Sequence, residues 1–445
     1  MRIIKYVFLL SVVCYSYVLP QQKDSVLVLT LNEALNIALS HNWDVLMAQE
    51  DINKSHKQID EAYSNAFPRL QFESNYMRNI KSPVMFIPGN SAFNPSPNTV
   101  TFEIGSKNSV DAGLSLSQVI YNQKVNTAIK IADEYASYSV AGKAATLKQV
   151  TVDVKKTFYG ILLMQELVKV TQQSSDVATA NLKNVESLYK QGVASEFDYL
   201  RAQVQVANTQ PALIQTQNNL EMVKNALKNI MGVDINKPLE VKGSFVYEPI
   251  PVDTLAEVNK YAIENNPLVR QLSIQQSLLE KNKQIQRADY FPTLSFFGSY
   301  KYQTEDNTFK INDWKWANSF VVGLNLSYTL FDGFGRSARV QQVEIDQNKV
   351  KLGQSKLEEG LKIQIRQALL KMEEAKKRIF AQEKSLEQAD KALKISQTRY
   401  KSGVGTQLEI LDTQVALTAA QTNYAQAIYD YLIAKSDWEY AVSRD

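Results

Sequence analysis

The stretch Arg399-Tyr400-Lys401-Ser402-Gly403-Val404-Gly405-Thr406-Gln407-Leu408-Glu409-Ile410-Leu411-Asp412-Thr413-Gln414 reads as the end of one long helix, a glycine stop and a capped restart. Its counterpart upstream is Leu188-Tyr189-Lys190-Gln191-Gly192-Val193-Ala194-Ser195-Glu196-Phe197-Asp198-Tyr199-Leu200-Arg201-Ala202-Gln203. A Ser or Thr cap with an acidic or amide side chain close behind restarts each helix. Both stretches are therefore tips of helical hairpins, and the chain holds two copies of one unit.

The helices leading into the tips carry a strict seven-residue repeat. Ile365, Met372, Ile379, Leu386, Leu393 and Tyr400 form one series, with Ala368, Ala375 and Ala389 three residues after Ile365, Met372 and Leu386. Val154, Ile161, Val168, Leu182 and Tyr189 form the other, with Ser175 interrupting, and 400 minus 189 equals 365 minus 154, an offset of 211. Such heptads signal a coiled coil in which small alanines permit close approach. A helix from Arg336 to Tyr400 is ~100 Å long at ~1.5 Å per residue, too long for an ordinary globular core. The return helices, 195–231 and 406–442, run antiparallel to it, with a local kink expected at Pro211.

Ahead of each hairpin the period changes. Leu31 to Leu39 matches Leu255 to Ile263, and each helical pattern closes on a Phe-Pro junction, Phe67-Pro68 or Phe291-Pro292. Period-two alternation follows in four segments, 68–80, 109–121, 292–304 and 319–332. Leu70, Phe72, Ser74 and Tyr76 share one face with the like positions of the other three segments; Arg69, Gln71, Glu73 and Asn75 begin a polar face. Half-buried hairpins of a soluble sheet alternate in this way. So do outer-membrane strands, which are about ten residues long with aromatic residues clustered at the interface, here Phe67, Tyr121, Phe291 and Phe331. Four strands do not close a barrel, whose smallest membrane examples have about eight, and an open edge is not tolerated in lipid. Other copies must complete the sheet.

The remaining composition narrows the function. Among 445 residues there are only 16 Gly and 12 Pro, which favours long regular elements, and a net charge of +3 with dispersed ions offers no footprint for nucleic acid. Residues 1–20, with Arg2, Lys5 and an apolar run containing the single Cys14, read as a secretory signal peptide. No later run reaches the ~20 apolar residues of a membrane-spanning helix. Only two histidines exist, His41 and His56, read as surface positions on a helix, and zinc, P-loop and dinucleotide signatures are absent. Gly333-Phe334-Gly335 reads as a hinge between strand and helix. The sequence offers no catalytic residue, cofactor site or metal site.

Together the signal peptide, duplicated helix-strand-strand-helix-helix units, Phe-Pro junctions and Tyr-Lys-x-Gly-Val-x-Ser/Thr tips resemble the TolC-like outer-membrane efflux proteins. The first repeat is 21–237, with its hairpin at 122–231; a linker follows at 238–251; the second repeat is 252–445, with its hairpin at 335–442. The resemblance implies a homotrimer: a 12-stranded outer-membrane β-barrel, four strands per chain, continued by a periplasmic 12-helix α-barrel of coiled-coil helices. It implies a passive exit duct of a tripartite efflux pump or type I secretion system, set in outer-membrane lipid. A periplasmic adaptor protein and an inner-membrane RND or ABC-type pump would open its tip. Adaptor-docking tips fall on Gly192, Val193 and Ala194 and on Gly403, Val404, Gly405 and Thr406; the acidic rings of the periplasmic gate fall on Glu409 and Asp412. Asp198 and Tyr400 match the closed-state latch, but Gly405 stands where the family has a basic residue. The latch is thus expected to rely on an Asp198–Tyr400 hydrogen bond and on coiled-coil packing. A periplasmic coiled-coil adaptor or structural protein is the competing reading; such a protein would have one hairpin flanked by soluble β-rich domains.

Overall fold

The structure, a computed structural model, describes residues 26–249 and 255–443. Residues 1–20, expected as a signal peptide, with Cys14, lie outside the described residues. Two compact units are built from interleaved segments of the chain: one from residues up to Asn42, Asp153–Glu248 and Ala375–Ile433, the other from Trp43–Val152, Pro249–Glu374 and the residues from Ala434 onward.

The first unit opens with strand β1 (Leu27–Leu29) and helix α1 (Leu31–His41). Thr30 precedes α1, and its amide donates to Glu33 Oε2 at 2.8 Å, half of a capping box. The sequence suggests one helical pattern up to the Phe-Pro junction, but the helix breaks at buried Asn42 and restarts in the second unit as α2 (Trp43–Ser64). Asn42 Nδ2 donates to the carbonyl of Ile230 at 2.7 Å, at the end of helix α4 (Glu196–Ile230), which runs unbroken through Pro211. Beyond it Gly232 turns with φ +66°, and a Cβ there would stand 2.2 Å from the His41 carbonyl oxygen. Only glycine fits that approach.

Residues 238–251, expected as a linker, contain strand β6 (Leu239–Val241), which pairs in parallel with β1 through Leu27–Leu239, Val28–Glu240 and Leu29–Val241. Its neighbour Gly243 lies against Phe158 and Leu162 of the long helix α3 (Gln123–Lys190). Farther on, Tyr247 stacks edge-on to Tyr431 at 4.6 Å, and the Tyr431 hydroxyl donates to the Glu248 carbonyl at 3.0 Å. Residues 239–248 are therefore anchored to the first unit.

The second unit holds one antiparallel sheet in the order β2-β5-β7-β8. Strand β2 (Arg69–Arg78) follows Pro68, and β5 (Asn108–Tyr121) pairs with it. Strand β7 (Thr293–Asp306) follows Pro292, and β8 (Trp316–Ser327) closes the order. The register aligns Phe72, Leu114, Tyr300 and Phe320 on one face, and Gln71, Ser115 and Ser299 on the other. The apolar face is uncovered, with Phe72, Phe320, Leu324 and Leu326 all about two-thirds exposed. Strand β8 stops at Ser327, short of the expected 332, because its partner β7 begins at Thr293 and nothing lies opposite the next residues. The loop after β2 contains a small hairpin of β3 (Val84–Ile87) and β4 (Val100–Glu103).

Behind the sheet, the turn at Gly333 and Phe334, both at φ +67°, passes the chain into helix α7 (Gly335–Lys401). Asp332 Oδ2 accepts from the Arg336 amide at 2.8 Å, and the Arg336 guanidinium, buried over the Tyr290 ring, donates to the Asp289 carbonyl at 3.0 Å. A salt bridge from Lys124 to Asp289 (2.6 Å) ties α3 to the end of helix α6 (Pro267–Ala288). Helix α5 (Leu255–Asn265) and α6 repeat the α1–α2 break, with Asn266 Oδ1 accepting from the Leu268 amide at 2.9 Å.

Lys281 of α6 donates to Glu134 of α3, both side chains about a fifth exposed. That hydrogen bond holds the Glu134 carboxyl below its ordinary value, against the opposing effect of burial. A depressed carboxyl stabilises the fold above its unfolded value and loses that contribution as pH falls through its folded value. Glu134→Gln is expected to lower stability by on the order of 1 kcal/mol at neutral pH and by less in acid, as the folded carboxylate is titrated away. Thermal unfolding followed by circular dichroism at neutral and acid pH checks this.

Candidate functional site

The site is the pair of hairpin tips, both in the first unit. In helix α7 the heptad positions Met372 and Ile379 are buried, as are Ala368 and Ala375. Leu393 of α7 joins Ile410 and Leu417 of helix α8 (Gln407–Val442) in one core, with Leu386, Ala389 and Tyr400 packed at its margin. That apolar seam fixes how the two arms meet and where the turn falls.

At the first tip Gly192 takes φ +74°, and the amides of Val193 and Ala194 donate back to the Leu188 carbonyl at 2.9 and 3.2 Å. At the second, Gly403 takes φ +71°, and the amides of Val404 and Gly405 donate to the Arg399 carbonyl, both at 3.1 Å. Each is a glycine C-terminal cap that consumes the last free carbonyls of the helix. The loops hold Val193 and Val404 in solvent at 72% and 69% exposure.

Gly405 is a special position for steric reasons, without a positive φ. A Cβ there would lie 2.9 Å from the Tyr400 amide nitrogen and 3.0 Å from Arg399 Cβ. Gly405→Ala is expected to cost about 1–3 kcal/mol locally, as overpacking does. Faster hydrogen exchange of the Val404 and Gly405 amides would register it.

The acids sit one turn into the return helices. Ser195 caps α4 by accepting from the Asp198 amide at 3.1 Å, and its hydroxyl donates to Asp198 Oδ2 at 2.7 Å. The sequence-expected hydrogen bond from Tyr400 to Asp198 is not made. The cap three residues away competes for the carboxylate locally. Tyr400 still senses that charge: burial, and then Asp198, push its phenol above the ordinary value. Tyr189 stacks instead on Tyr199, with ring centroids 5.3 Å apart.

Applying the 211-residue offset, Glu409 is the counterpart of Asp198, yet its side chain turns elsewhere. Thr406 accepts from the Glu409 amide at 3.3 Å, while Glu409 Oε2 meets Arg399 Nε at 3.4 Å. Arg399 Nη2 also donates to the Val404 carbonyl at 3.4 Å. Sequence reasoning missed Arg399, which breaks the repeat by standing where the first tip has Leu188. Asp412 is exposed and has no ion-pair partner among the described residues. Its counterpart Arg201 lies 5.4 Å over the Phe197 ring.

His41 and His56 are exposed, and among the described residues no group of three or more His, Cys, Asp and Glu could hold a metal ion. Among the same residues no helix is long and apolar enough to cross a membrane.

The sequence profile of the family described as outer membrane efflux protein matches residues 34–233 and 259–437. The outer membrane protein TolC of Vibrio cholerae serotype O1 is 21% identical over 328 residues, 73% of this chain and 74% of that protein. The cobalt-zinc-cadmium resistance protein CzcC of Cupriavidus metallidurans is 22% identical over 403 residues, 89% of this chain and 85% of its own length. Among solved structures, the Campylobacter jejuni CmeC outer membrane channel has a similar fold, with a TM-score of 0.73 at 16% identity over 93% of this chain and 85% of that one.

Proposed function

Because the chain belongs to the outer membrane efflux protein family, and so is an outer-membrane efflux or secretion channel, we propose that it forms the passive exit duct of a tripartite efflux pump or type I secretion system. The observation that carries this reading is the sheet. It has one uncovered apolar face and one polar face, and β2 and β8 are left as unpaired edges. Lipid would cover the apolar face, and two further copies would close the edges into a 12-stranded barrel, as an edge in hydrocarbon requires. The long hairpins of three chains then make a 12-helix tunnel through the periplasm.

The duct has no energy source of its own. An inner-membrane RND or ABC-type pump supplies it, and a periplasmic adaptor docks on the tips Gly192, Val193, Ala194 and Gly403, Val404, Gly405, Thr406. The exposed valines support this, since they give each tip an apolar knob. Glu409 and Asp412 form the acidic rings of the periplasmic gate, which favours cations. Asp198 and Tyr400 latch the closed state through a hydrogen bond between them, one that is not formed in this structure, together with coiled-coil packing of the long helices.

Protein extracted from the outer-membrane fraction should migrate as a heat-modifiable trimer and give unitary conductance steps in planar bilayers. A detergent-independent monomer without conductance would refute the duct. Asp412→Asn should reduce the cation preference of those steps.

A further inference from the structure

Resting on the reading that Glu409 and Asp412 line the pore, we infer that Arg399 is a selectivity-determining residue: it neutralises Glu409 within each chain and leaves Asp412 as the uncompensated charge of the constriction. The guanidinium is held at two points. Its Nε faces Glu409 Oε2 at 3.4 Å, and its Nη2 donates to the Val404 carbonyl at 3.4 Å. One side chain thus bridges the last turn of α7, the tip loop and the first turn of α8.

Gly405 explains why the positive charge comes from this side of the loop. Its missing Cβ would meet the Tyr400 amide at 2.9 Å and Arg399 Cβ at 3.0 Å, so a side chain at position 405, basic ones included, would force this backbone to shift. The first tip has Leu188 at the matching position, so each chain supplies one arginine for one Glu409. With side chains 53% and 41% exposed, the pair adds little to stability. Its consequence lies in the field: a carboxylate with a guanidinium beside it presents a dipole to a passing ion, whereas exposed Asp412 presents a full charge.

The test is the zero-current potential of single channels in a potassium chloride gradient. Arg399→Gln should raise the cation-to-anion permeability ratio by roughly threefold, the scale of one extra charge acting across a few ångströms of water. Glu409→Gln, which leaves the arginine unpaired, should shift the ratio toward anions. The double variant should return to the wild-type value, and Arg399→Lys should keep it. If Arg399→Gln and Glu409→Gln leave the potential unchanged while Asp412→Asn moves it, the acidic gate stands and the role of Arg399 is overturned. If none of the three moves it, the gate reading falls and the inference with it. Should Arg399→Gln fail to assemble, Glu409→Gln alone decides: no shift toward anions overturns the role.

Discussion

Leu324→Arg is expected to abolish assembly into the outer membrane while leaving the helical hairpins folded. Leu324 sits mid-strand in β8, 65% exposed, on the same face as Phe320, Val322 and Leu326 and opposite Phe296. On a lipid-facing strand an arginine near the bilayer midplane costs about 2–4 kcal/mol. The trimer we propose would repeat that cost three times around one barrel, about 6–12 kcal/mol, comparable with the whole stability of an ordinary folded protein, about 5–15 kcal/mol. On a soluble sheet the same substitution would be a surface change worth within about 0.5 kcal/mol. Asn325→Arg, one residue along on the polar face, is the control and should insert normally. Quantifying both variants in the outer-membrane fraction separates the two environments; equal recovery would place the apolar face in water.

Gly232→Val is the second substitution with a large expected effect. The residue has φ +66°, and a Cβ there would stand 2.2 Å from the His41 carbonyl oxygen, so its absent side chain is what lets the two backbones approach. A β-branched residue would be strained in the left-handed region and would also strike backbone that cannot rotate away. The two penalties act on one joint, where Asn42 Nδ2 bonds the Ile230 carbonyl at the end of α4. A loss of about 3–5 kcal/mol is expected from combined strain and overpacking. The thermal midpoint should drop, and proteolysis should open first around residues 229–242. Gly192→Ala, at a positive φ with open space around it, should be milder.

The parts of this molecule that were legible in its sequence are those whose signal is periodic. Strand faces follow alternation because each strand has one uncovered face, and the register aligns Leu70 with Leu116 and Phe72 with Leu114 as that pattern suggests. The long helices follow their heptads, whose apolar positions are buried at Val154, Ile161, Ile365 and Met372. Elements without a period escaped. Strands β1 and β6 are three residues each and pair across more than two hundred positions, which leaves no local trace. The hairpin β3–β4 hides among prolines. The break at Asn42 was readable in principle, since Asn266 repeats it at the spacing that separates Leu31 from Leu255.

At the tips, the glycines and caps announced the turns, yet two pairings depended on where side chains point. Asp198 found its partner three residues back in Ser195 rather than in Tyr400 of the other hairpin. Arg399 reaches ten residues forward to Glu409 around a turn, a spacing that neither helical nor strand periodicity marks. Departures from the internal repeat, Leu188 against Arg399 and Arg201 against Asp412, are the sequence clue to that asymmetry.

The bare rims of β2 and β8 bear on how the protein is made. In the duct we propose, pairing those rims takes other copies, so the last step of construction would be an encounter between molecules whose yield climbs steeply with the number of copies present. Until that encounter each newly secreted chain is adhesive along two strands and greasy on one sheet face, a target for mispairing with any other exposed strand. On that reading, overproduction should accumulate mispaired chains before it adds channels.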